Sequence, residues 1–96
     1  MIDINYVKEN VIKLLPIDSS LYADSLDILI GGAMNKLANE GINADVIDAD
    51  TNCALDYIVC CSYQVLMDLD ADIDAERMTR QYITRVNTLR TSLINV

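Results

Sequence analysis

Residues 18–41 read DSSLYADSLDILIGGAMNKLANEG, the most clearly signalled helix in the chain. Ser19 or Ser20 offers a hydroxyl to the free N–H groups of a first turn, and Gly41 closes the far end in a left-handed conformation. Tyr22, Leu26, Leu29, Ala33 and Leu37 recur at helical spacing and form one amphipathic stripe. A smaller second face carries Leu21, Ser25, Ile28 and Gly32, whose short side chains invite another backbone to come close. Gly31 and Gly32 each cost about 1 kcal/mol relative to alanine in an exposed helix interior, so the pair needs a reason. Tight packing within the chain is the plain expectation, and packing against another subunit the sharper one.

Upstream, residues 5–15 predict a short helix with Ile4, Val7, Val11, Leu14 and Leu15 turned inward. Pro16 disfavours helical backbone at Leu15 and brings no N–H of its own, so the helix stops there. Downstream, INADVIDAD lacks a helical stripe and reads as a loop, with Val46 and Ile47 tucked against the core. Asp48, Asp50 or Thr51 then caps a third helix over residues 51–69. Its main face is Leu55, Ile58, Val59, Ser62, Val65, Leu66 and Leu69, yet the opposite side also carries Cys53, Tyr57, Cys60, Tyr63 and Met67. A helix that is apolar all round is central, or meets another subunit, or both. After MDLDADID, Asp72 or Asp74 caps a fourth helix over residues 75–93 with the stripe Met78, Tyr82, Val86, Leu89 and Leu93. With no strand pattern, repeat or linker, the sequence predicts one all-α domain, residues 1–96, built as a bundle of about four helices.

A chain of 96 residues buries only about 60 to 65% of its unfolded surface, so assembly would add to a modest margin. Its hydrophobic fraction, 52%, is high, but no apolar run approaches the roughly 18 residues that span a bilayer. The opening MIDINYVKEN does not read as a secretory signal, which leads to an expectation of the cytoplasm and of no membrane. The net charge of −8 is unevenly placed: −3 over residues 1–40, −9 over 41–76 and +4 over 77–96. So acidic a chain is ill suited to holding nucleic acid by phosphate neutralisation. Arg77, Arg80, Arg85 and Arg90 scatter around their helix and predict separate ionic contacts, made either by folding that helix back or by pairing neighbouring chains.

Motifs for chemistry fail one by one. Histidine is absent, which removes Ser-His-Asp and Cys-His catalysis, and the three glycines form no phosphate loop. Asp68, Asp70, Asp72 and Asp74 begin like a calcium loop, but Ile73 stands at the glycine position and Thr79 at that of the bidentate acid. Cys53, Cys60 and Cys61 lack zinc-ligand spacing and read as small apolar fillers. The expectation is therefore no catalytic residue, no metal and no cofactor. The triplet Asp24, Ser25, Leu26 resembles the phosphopantetheine site of acyl carrier proteins, also small, acidic and helical, which would make Ser25 the modified residue. A small acidic regulator that binds another protein, imitating DNA charge, is a further alternative.

A broader resemblance runs through YVKENVIKLLPI, LYADSLDILIGGAMNKLANEGI, ALDYIVCCSYQVL and AERMTRQYITRVNTLRTSL. It rests on the short first helix and the run Leu26, Leu29, Ile30, Ala33 to Leu37, Gly41 and Ile42. Ala54, Tyr57 and Ile58 carry it through the third helix, and Glu76, Arg77, Tyr82 and Leu89 through the last. In order and spacing these resemble the small head-tail connector, or DNA-packaging adaptor, proteins of tailed phages and prophages. The resemblance implies an all-α, non-catalytic virion structural protein at the phage neck, assembled in the host cytoplasm. It further implies a homo-oligomeric ring that docks on the portal protein, receives the next neck or tail-completion protein, and lets DNA through without sequence-specific binding. Ser25, Ile28, Gly32, Tyr57, Cys60, Tyr63, Met67, Arg77, Arg80, Arg85 and Arg90 are the expected interface residues. An acidic lumen would repel phosphate and keep the duplex sliding.

Overall fold

Asp3 starts the first helix: its backbone is extended and its carboxylate accepts the Tyr6 N–H at 2.9 Å, satisfying one of the free donors of the first turn. In the computed structural model, which describes residues 3–15, 23–47, 51–69 and 75–94, that helix is α1, Ile4–Leu14. It ends where expected, with Leu15 extended ahead of Pro16 and its N–H returned to the Val11 carbonyl. α2 spans Ala23–Asn39, a 3₁₀ turn Ala44–Val46, α3 Asn52–Asp68 and α4 Ala75–Ile94. The protein is a small all-α bundle, with no strand among the described residues. The proposed caps at Ser19, Ser20, Asp48, Asp50, Asp72 and Asp74 lie outside those residues, as do Leu21, Tyr22 and the middle of the Asp68 to Asp74 run. Thr51 is the cap of α3, its hydroxyl accepting the Ala54 N–H at 3.4 Å.

Gly41 closes α2 with φ +87°, the left-handed conformation that glycine adopts without a Cβ penalty. The Ile42 N–H reaches the Leu37 carbonyl at 2.9 Å and the Gly41 N–H that of Ala38 at 3.0 Å, so two orphan carbonyls are satisfied. Ile42 and Leu37, the two residues joined by the first of these bonds, are both fully buried. The motif thus turns the chain and pins it to the core in one step.

α3 is the centre, packing on α4, α2 and α1, while α1 also rests on α2. The core gathers Val7, Val11 and Leu15, then Leu26, Ile30, Ala33 and Leu37, around Ala54, Tyr57, Ile58, Cys60, Cys61, Val65 and Leu66, with Val86 and Leu89 closing it from α4. Some residues read as inward are not. Ile4 and Leu14 stay about half exposed, because the two ends of an 11-residue helix are covered least. Leu26, Ala33 and Leu37 of the α2 stripe are buried as read, while Leu29 is only partly buried against the core and Ile30, outside the stripe, is buried with them. Leu55 is exposed, and in the connecting segment Val46 points out while Ile42 and Ile47 go in.

The glycine pair corrects the plainer expectation. A Cβ built on Gly31 or Gly32 meets nothing within 4 Å, so among the described residues no backbone from outside α2 approaches them closely. Ser25 and Ile28, on the same face, are exposed as well.

Candidate interaction surfaces

Opposite charges meet between helices. Lys8 of α1 pairs with Asp27 of α2, and Lys36 of α2 reaches Asp68 of α3 at 3.5 Å. Arg85 of α4 donates from Nη1 to Asp56 of α3 at 2.9 Å. Arg90 donates from Nη2 to the Glu40 carboxylate at 3.0 Å and to the Glu40 carbonyl at 2.8 Å, with Nε at 3.2 Å from the same carbonyl. Of the two routes left open by the charge pattern, Arg85 and Arg90 thus take the internal one. The sequence missed these pairings, because which base meets which acid depends on how the helices cross.

Tyr57 and Cys60, expected at an interface, lie in the chain's own core, 1% and 0% exposed. α3 is covered by three helices, so these two members of its second apolar side turn inward, while Cys53, Tyr63 and Met67 are half-buried. Burial pushes the Cys60 thiol up to about 12, with the Asp56 carboxylate adding to the effect and Arg85 opposing it. Cys61 and the Tyr57 hydroxyl are raised in the same way, again by burial first. At neutral pH Cys60 and Cys61 are therefore protonated, a poor state for a nucleophile or a metal ligand. All three cysteines are unpaired, and no group of three potential metal ligands occurs among the described residues. Ser62 returns its hydroxyl to the Ile58 carbonyl at 2.9 Å, and Gln64 donates to Asp68 at 2.9 Å, so the polar groups within the core are satisfied locally.

Several hollows are open among the described residues, one of them, of about 360 Å³, lined by Asp3, Ile4, Met34, Asn35, Ala38, Asn43, Ala44, Asp45 and Tyr57. Between α1 and α3 runs a groove of about 250 Å³ lined by Tyr6, Leu14, Leu55 and Ile58 together with Asn10, Lys13 and Thr51. Between α3 and α4 lies a cleft of about 280 Å³ lined by Tyr63, Arg80, Gln81, Thr84 and Arg85, and no acid contributes to its lining. Of the expected interface residues, Tyr63, Arg80 and Arg85 therefore share one cleft. Met67, half-buried, accepts from the Thr79 hydroxyl at 3.4 Å, and Arg77 is exposed on the first turns of α4. Ser25, Ile28 and Gly32 lie together on the outer face of α2, away from the cleft lining. No family model, curated protein or solved structure matches the chain. Among the described residues, no helix is long and apolar enough to cross a membrane.

Proposed function

We propose that the chain is a non-enzymatic connector subunit of a tailed-phage neck. Copies form a ring that joins the portal vertex to the head-closure or tail components and leaves a passage for DNA. The observation that carries this reading is that one small bundle presents unlike open faces, the arginine-lined α3–α4 cleft and, apart from it, a hollow lined by Asp3 and Asp45. A head-to-tail ring needs two unlike faces on each subunit, because every contact joins one to the other. Four helices in the order of the resemblance, with the third at the centre, fit the same part. The test is co-expression with the portal protein of the same phage or prophage, then co-purification and electron microscopy of the complex. A ring seated on the portal is the expected result, and failure to co-elute across low and high salt would overturn the reading.

One observation favours a second reading. Ser25 is exposed in the first described turn of α2, with Leu26 buried beside it, an arrangement that leaves the hydroxyl accessible for phosphopantetheine. Intact mass after incubation with a phosphopantetheinyl transferase decides it. A connector shows no mass gain, and a full-yield adduct lost in Ser25→Ala would make the chain a carrier.

A further inference from the structure

The α3–α4 cleft is rich in donors. Arg85 is anchored by its bond to Asp56, which uses one of the five N–H donors of its guanidinium. Arg80 has no ion pair among the described residues. Gln81 and the Tyr63 hydroxyl add neutral donors, while the Thr84 hydroxyl is spent on the Arg80 carbonyl at 3.0 Å. A planar guanidinium in such a setting is suited to a carboxylate, which it can hold with two parallel bonds.

The hollow of about 360 Å³ beside α1 and the 3₁₀ turn has the opposite character. Asp3 and Asp45 line it with Ile4, Asn35 and Asn43, and no base contributes. Asp3 already accepts the Tyr6 N–H, so Asp45 is the uncommitted carboxylate. It stands exposed on the 3₁₀ turn beside Val46, an apolar side chain 66% exposed. The two hollows share no lining residue. Tyr57 in one and Tyr63 in the other are six residues apart on α3, about 120° around the helix. The acid and the arginines thus face different ways, as a contact between copies requires.

We infer that the α3–α4 cleft of one chain receives the 3₁₀ turn of a second copy, Asp45 pairing with Arg80 and Val46 lying against Tyr63. The contact depends on the connector reading for closing into a ring, but not for the pairing itself. Both Arg80 and Asp45 are exposed, so charge reversal leaves the core untouched, as circular dichroism would verify.

The experiment is sedimentation velocity over a concentration series at low salt, on the parent, on Arg80→Glu, on Asp45→Lys and on an equimolar mixture of the two variants. Each variant alone should associate at least about tenfold more weakly than the parent. The mixture should recover association, since Glu at 80 in one chain meets Lys at 45 in the other and the native pair forms in alternation. A parent that stays monomeric, a variant that associates as the parent does, or a mixture that fails to recover would each overturn the inference. Portal binding is read separately, so variants that still seat on the portal as the parent does would remove this contact and leave the connector reading standing.

Discussion

Cys60 and Cys61 are neutral because α3 is covered on several sides, and that has a consequence at high pH. Folded, the Cys60 thiol holds its proton to about 12, while in the unfolded chain it gives it up from the ordinary 9.0. A folded value above the unfolded one means that this stabilisation is complete below pH 9 and is lost as pH rises toward 12. Each such group removes up to about 1.4 kcal/mol per pH unit within that window. Tyr82, pushed up to about 12 mainly by burial, adds to the loss from pH 10. Thermal melts should therefore be flat from pH 7 to 9 and fall beyond. A variant with Cys60→Ala and Cys61→Ala should start lower but decline less steeply, and an identical alkaline slope would show that the thiols do not cause it. At Gly31 and Gly32 the open space predicts a gain. Alanine at either should stabilise by about 0.5 to 1 kcal/mol, raising the melting temperature by several degrees in a chain this short. A drop would reveal a close neighbour on that face.

The ends of the helices show which parts of the fold the sequence discloses. Gly41 announced its left-handed turn and Pro16 the extended Leu15, because backbone chemistry at those positions leaves little choice. Asp3 is equally local, yet placing the first helix at residue 5 hid it. Tyr57 and Cys60 are a different matter. On a helix apolar all round, composition cannot tell a side covered by the same chain from a side covered by another, so only the packing of α4 and α2 settles it. The arginines divide likewise, since Arg85 and Arg90 fold back while Arg80 lines an open cleft. Arg90 does more than neutralise Glu40: it also donates to the carbonyl of that residue, just past the end of α2. Arg90→Met, which keeps the apolar stem, should cost about 1 kcal/mol in denaturant unfolding, in line with one exposed charge-assisted contact. Glu40→Gln should cost less, because the carbonyl still receives the guanidinium. Equal losses would mean that only the ion pair matters.

For the whole molecule, the surplus of acid opposes folding, whereas the proposed contact between copies relies on opposite charges. Fifteen acids face seven bases, so even complete pairing leaves eight carboxylates repelling one another. The four ion pairs among the described residues are partly to largely exposed, each worth about 0 to 1 kcal/mol, and salt weakens them too. Raising salt from the low millimolar range to about 0.5 M shortens the screening length from tens of ångströms to a few, which relieves the long-range repulsion first. The monomer should accordingly melt a few degrees higher in high salt. The proposed contact between Arg80 and Asp45 of another copy would respond the other way, because it relies on attraction between unlike charges. Melts of dilute protein and sedimentation of concentrated protein, run over the same salt series, should then diverge: stability up, association down. Should stability fall along with association, the internal pairs outweigh the surplus of acid, and Lys8, Lys36, Arg85 and Arg90 would hold the bundle more firmly than their exposure allows.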